Sequence, residues 1–219
     1  MTSPETILSR MAVPGYDGIF VIGSGESRIT LYSQQVRALN LAWAMAEQSL
    51  LPEGAAVGIV GAGAAGLTAA IAIGRLGAKV DIFDSHEIIL PRFRGNTQRY
   101  LHPHAYDWPL ESSQRLRADL PIMNWQAATA SEVTLQLERA WHVERTTANE
   151  ITLRLSAHIA SIGPINRELR WQGASPGTKQ YNAIVFAVGS GPKREGLALR
   201  RIGRTIRWAK SSSVVQGKY

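Results

Sequence analysis

The chain contains no cysteine. It therefore carries no disulfide, no thiolate metal site and no redox-active dithiol, and any redox chemistry must come from a bound cofactor. It has no run of about 18 or more apolar residues, so no membrane-spanning helix is expected. The opening Met1-Thr2-Ser3-Pro4-Glu5 lacks the basic-then-apolar order of a secretory signal, and a cytoplasmic location is expected. There is no GxSxG elbow, so the usual signature of a serine nucleophile is missing as well.

Acidic residues are scarce in one place only. After residue 189 come Lys193, Arg194, Arg200, Arg201, Arg204, Arg207, Lys210 and Lys218 against Glu195 alone, eight minus one, which is the whole net charge of +7. Residues 1–189 hold 16 basic and 16 acidic side chains. A balanced body argues against nucleic acid as the partner. The 45% apolar content is ample for a core, and 219 residues make one domain or slightly more.

The most informative stretch is residues 57–84, VGIVGAGAAGLTAAIAIGRLGAKVDIFD. A short apolar run ends in Gly61-Ala62-Gly63-Ala64-Ala65-Gly66, an Ala- and Ile-rich helical run follows, and a second apolar run closes on Asp84, 18 residues past Gly66. This is the strand–glycine turn–helix–strand–acid layout of a dinucleotide-binding unit. Gly61 lets the chain turn out of the strand. Gly63, without a Cβ, lets a pyrophosphate approach the backbone. Gly66 lets the helix pack closely. The amides that open the helix, with its positive dipole end, suit the phosphates. Asp84 suits a ribose hydroxyl and disfavours a 2′-phosphate. The fingerprint alone leaves NAD and FAD open.

The rest of the chain divides coarsely. The first dozen residues look loose. Residues 18–22 and 28–32 read as β-type runs, residues 34–50 as a helix, and Leu51-Pro52-Glu53-Gly54 as its stop. Residues 86–119 have little periodicity and are rich in Arg, His, Pro and aromatics, and a loop of that length is usually functional. Residues 131–144 predict an amphipathic helix with Val133, Leu135, Leu137, Trp141 and Val143 on its apolar side, residues 151–162 and 167–172 an antiparallel pair of strands, and residues 173–178 a turn. The nearly unbroken apolar run YNAIVFAV at 181–188 is expected of a strand buried on both faces of a parallel sheet.

A βαβ unit, a helix, a β-meander and a last strand ending in Gly189-Ser190-Gly191 together resemble the FAD domain of glutathione-reductase-type flavoproteins. YNAIVFAVGSG is similar to the second flavin motif of that superfamily and follows the first by about 120 residues. The resemblance implies an α/β, Rossmann-like FAD/NAD(P)-binding fold with a mostly parallel sheet and a β-meander. It implies FAD in extended form, with the pyrophosphate on residues 61–66, the adenosine ribose on Asp84 and the cofactor against Ala187, Val188 and Gly189. NAD(P)H is the electron donor it allows. Arg92 is a candidate for the pyrophosphate, with Arg94 and Arg99 as further loop cations. The expected divisions are an N-terminal helical and strand extension over 1–54, the FAD/NAD(P)-binding domain over 55–191 and a basic tail over 192–219.

The superfamily's late Gly-Asp motif and second domain are absent from this sequence. The expectation is a truncated member, with a missing domain or a second chain to complete it and a tail of non-native character. Three rivals stand beside a flavin-dependent oxidoreductase: a non-catalytic nucleotide-binding module, an inactive remnant, and an NAD-dependent dehydrogenase. His102-Pro103-His104 has HxH spacing without an evident third metal ligand. Tyr100, Tyr106, Trp108 and Trp125 are candidates for ring stacking, with core covering as the alternative. Ile22-Gly23-Ser24-Gly25 reads as a turn, and residues 197–210 as either a basic amphipathic helix or a frayed end. The substrate and the catalytic residues are not specified by the sequence.

Overall fold

The computed structural model describes residues 2–23, 29–148, 150–163 and 165–189. The basic tail lies outside the described residues, as does most of the Gly23–Gly25 turn. The centre is a five-stranded, all-parallel sheet in the order β1 (Ile19–Val21), β10 (Ala183–Phe186), β2 (Ala56–Val60), β3 (Lys79–Phe83), β6 (Ile151–Arg154), and β4 (Tyr100–Leu101) pairs antiparallel with β5 (Ala128–Thr129) apart from it.

Alternation along these strands divides the core in two. Phe20, Val57, Ile59, Val80, Ile82, Ala183 and Val185 face one layer. Ile19, Phe83, Ile184 and Phe186 face the other. Both faces are covered, which is why 181–188 reads as continuous apolar sequence. Each fully buried Ile or Phe contributes about 2 kcal/mol of transfer free energy.

The first face carries four helices: α1 (Pro4–Met11), α2 (Leu31–Glu47), α3 (Ala64–Arg75) and α4 (Ala130–Glu144). α2 and α3 pack together through a buried polar link. Gln35 Nε2 donates to Thr68 Oγ1 at 3.2 Å and to the Met123 carbonyl at 2.9 Å, while Gln35 Oε1 accepts from Trp125 Nε1 at 2.7 Å. The second face carries a meander of β7 (Ala157–Gly163), β8 (Glu168–Gly173) and β9 (Gly177–Gln180). Trp171 and Tyr181 pack against Phe83, with ring centroids 4.8 and 6.3 Å from it.

The meander is also tied to the sheet by charge. Asp81, 3% exposed, lies in the middle of β3. Its Oδ1 accepts from Arg154 Nε at 3.1 Å and forms an ion pair with Arg154 Nη2 at 3.0 Å, and its Oδ2 accepts from Lys179 Nζ at 2.7 Å and the Tyr181 hydroxyl at 3.1 Å. Burial pushes the Tyr181 phenol well above its ordinary range, and the Asp81 charge and hydrogen bond push it the same way.

Several elements differ from the sequence reading. The first residues are helical, because Ser3 accepts from Thr6 N–H and Pro4 sits in the first turn. The expected strand over 28–32 gives way to helix at Leu31, where Thr30 and Ser33 form a reciprocal cap. The expected single strand over 151–162 is two strands in two sheets. Ser156, at φ 50°, breaks the run between β6 and β7. The expected β-meander is present, but residues 177–180, at the end of the expected turn, pair with β8 and give it a third strand. α4 buries Val133, Leu137 and Trp141 as read, but Leu135 and Val143 face outward.

Candidate functional site

The glycine turn lies where β2 gives way to α3, beside the carboxyl ends of β3 and β10. From β2 the chain goes to β3 on one side, while β10 occupies the other. A parallel sheet receives its ligand at such a switch point.

Each glycine there has a distinct physical reason. Gly61 has φ 112°, and a Cβ on it would lie 2.5 Å from the Ala187 carbonyl oxygen of the neighbouring strand end. A Cβ on Gly66 would overlap the Gly61 carbonyl oxygen and stand 3.4 Å from Ala187 Cβ. Gly63 is the opposite case, since a Cβ there meets nothing within 4 Å. Space next to the backbone is thus left at Gly63 alone of the three.

The turn is fixed by main-chain bonds. Gly61 N–H donates to the Phe83 carbonyl at 2.7 Å, Ala187 N–H to Val60 at 2.8 Å and Leu90 N–H to Ala62 at 3.0 Å. The helix it opens is distinctive. α1, α2 and α4 are capped by the side chains of Ser3, Thr30 and Thr129, whereas α3 starts at Gly63 with no side-chain cap. Gly63, Ala64 and Ala65 are partly exposed, while Ala62 and Gly66 are buried. First-turn amides need partners, and a helix left open in this way offers them to an anion.

Asp84 sits across from the turn. Its Oδ2 accepts from Ala62 N–H at 2.7 Å, and its Oδ1 from His86 N–H at 2.9 Å, with the His86 Nδ1 also 2.7 Å from Oδ1. The carboxylate expected to meet a ribose therefore also braces the turn, a role that spacing did not reveal. His86 was not read from the sequence as part of the site. Its place two residues after Asp84 is the signal in the sequence that points to it.

Ala187, Val188 and Gly189 follow β10 directly and lie along the same edge. Ala187 is buried, and Val188 is 44% exposed. Arg92 comes to this edge, with Nη1 3.5 Å from the position a Gly189 Cβ would take. The structure thus brings together residues 61–66, Asp84, Arg92 and residues 187–189. It takes other candidates elsewhere. Arg94 pairs with Glu138, and Arg99 lies over the Phe93 ring. Trp125 is core, with its N–H on Gln35. His104 is buried, its Nδ1 2.9 Å from Asp107 and its Nε2 3.0 Å from the Arg117 carbonyl oxygen. Both ring nitrogens hold the loop together. Tyr100, Tyr106 and Trp108 are exposed. Among the described residues no group of three or more His, Asp or Glu could hold a metal, and no helix is long and apolar enough to cross a membrane.

The family model for the pyridine nucleotide-disulphide oxidoreductases matches residues 55–210, and the chain belongs to that family. It carries the Rossmann-like cofactor-binding fold of that family, whose cofactor is FAD and whose electron donor is NAD(P)H. Solved structures similar to it include the HOCl-induced flavoprotein disulfide reductase RclA from Escherichia coli, at 14% identity and TM-score 0.37, covering 87% of this chain and 30% of that one. The water-forming NADH oxidase from Lactobacillus brevis, bound to NADH, is similar at 14% identity and TM-score 0.40, covering 86% and 30%. The bacillithiol disulfide reductase Bdr from Bacillus cereus is similar at 14% identity and TM-score 0.36, covering 67% and 32%. The chain thus spans about a third of the length of these structures. No curated protein matches it.

Proposed function

We propose that the chain binds FAD in extended form at the edge formed by the ends of β2, β3 and β10, as the flavin-holding part of an oxidoreductase supplied with electrons by NAD(P)H. The observation that carries this is the uncapped start of α3 beside open space at Gly63. The residues present fit the group: the crowding at Gly61 and Gly66 keeps α3 close to the sheet, and the space at Gly63 accepts a pyrophosphate. Amides of Gly63, Ala64 and Ala65 would hold the pyrophosphate, and Arg92 would add charge. Asp84 would stand at the adenosine ribose end of the site. Ala187, Val188 and Gly189 would line the cofactor. When bound, the isoalloxazine supplies hydride and electron transfer. The protein's part is to bind, orient and shield it.

The 219 residues hold no thiol, so a dithiol relay cannot run through this chain's own side chains. The domain limits follow the same reading: 55–191 as the cofactor unit, 1–54 as its flank and 192–219 as a basic tail, in the cytoplasm.

Purified protein tests this directly. A yellow preparation with flavin absorption, or saturable quenching of added FAD fluorescence, is the expected result. A colourless protein that takes up NAD+ instead marks a dehydrogenase. One that binds neither FAD nor ADP overturns the proposal.

A further inference from the structure

The pairing of His86 with Asp84 has a consequence for recognition. Asp84 is only 11% exposed in its side chain, while the His86 ring is 61% exposed. The carboxylate is already engaged three times: by Ala62 N–H, by His86 N–H and by the His86 ring. Two carboxylate oxygens provide about four lone-pair positions. Little of Asp84 is left for an incoming hydroxyl.

His86, by contrast, is fixed and outward. Its N–H donates to Asp84 in a local Asp turn, and its carbonyl accepts from Ser156 N–H at 2.9 Å, where the chain passes from the parallel sheet to the meander. A carboxylate only accepts, so His86 Nδ1 carries the hydrogen and donates it to Asp84. In the neutral ring that choice sets the tautomer and leaves Nε2 as an acceptor. We infer that His86 Nε2 receives a ribose hydroxyl of the adenosine half of the dinucleotide, with Asp84 acting behind it to orient the ring and brace the glycine turn. His86 is then a specificity residue for a ribose diol. This inference rests on the dinucleotide reading given above.

Isosteric variants separate the two nitrogens. In His86→Asn the amide nitrogen replaces Nδ1 and can keep the bond to Asp84, but nothing replaces Nε2. In His86→Gln the amide reaches the Nε2 position. FAD and ADP affinities are measured by fluorescence and calorimetry on the full chain, with 2′,3′-dideoxy-ADP as the probe lacking the diol and far-UV circular dichroism as the check on folding. Loss of one such hydrogen bond weakens ADP and FAD binding by roughly fivefold.

The expected order is wild type close to His86→Gln, with His86→Asn and His86→Ala about fivefold weaker. The expected difference between wild type and His86→Asn vanishes on 2′,3′-dideoxy-ADP. A His86→Asn protein that binds as wild type assigns the ring to bracing Asp84 alone and overturns the inference. So does any other order of the variants, or a difference that persists on the dideoxy probe. Failure of wild type to bind FAD or ADP at all is a separate result and sinks the dinucleotide reading instead.

Discussion

Gly63 and Gly66 stand three residues apart and answer to opposite constraints. Gly66 is needed by the fold, because a methyl group there runs into the Gly61 carbonyl. Gly66→Ala is expected to destabilise by about 2–3 kcal/mol through displacement of α3, a fall in Tm of roughly 5–10 °C by calorimetry. Gly63→Ala meets no neighbour, so its Tm should fall by only a few degrees through the poorer cap, about 0.5–1 kcal/mol. Its flavin affinity should nevertheless drop at least about tenfold, since the methyl group takes the space left for phosphate. Equal losses of stability in the two variants would contradict this division. Tyr181 supplies a pH signature. Its phenol is held protonated in the fold and would ionise near 10.0 in the unfolded chain, so its stabilising contribution is complete below that pH and is lost as pH rises above it. Alkaline unfolding that steepens above about pH 10 is expected, and Tyr181→Phe should flatten that part of the curve.

Among elements, α2, α3 and the loop carrying Met123 and Trp125 act together through Gln35. Gln35→Leu keeps volume but strands the Trp125 N–H, the Thr68 hydroxyl and the Met123 carbonyl. A cost of about 2–4 kcal/mol in denaturant titration is expected. What the sequence made legible follows from how local its causes are. The glycine turn, its helix and the last strand are written in neighbouring residues, and they came out where spacing put them. The break at Ser156 is not, because β-type residues run through it without Gly or Pro, and only tertiary packing sends β6 to one sheet and β7 to another. Asp81 was unreadable for the same reason. An acid inside KVDIF gains its meaning from Arg154, Lys179 and Tyr181, 73 to 100 residues away. His86 fell inside a segment read only as a long loop.

At the scale of the whole molecule, one parallel sheet with helices on one face and a meander on the other brings the carboxyl ends of β2, β3 and β10 to a single edge. The charge is distributed independently of that edge. Residues 192–219 carry the entire +7 excess, so their removal should abolish retention on a cation exchanger at neutral pH. Undiminished retention would place a basic surface on the body instead.

The three main-chain hydrogen bonds at the glycine turn, from Gly61 to Phe83, Ala187 to Val60 and Leu90 to Ala62, are made by the polypeptide alone. The proposed receptor for a diphosphate is thus already braced by the chain itself before any guest arrives. Docking would have little backbone left to freeze, so calorimetry should register only a small heat-capacity change, of the kind seen when a preformed surface is covered and nothing refolds around it.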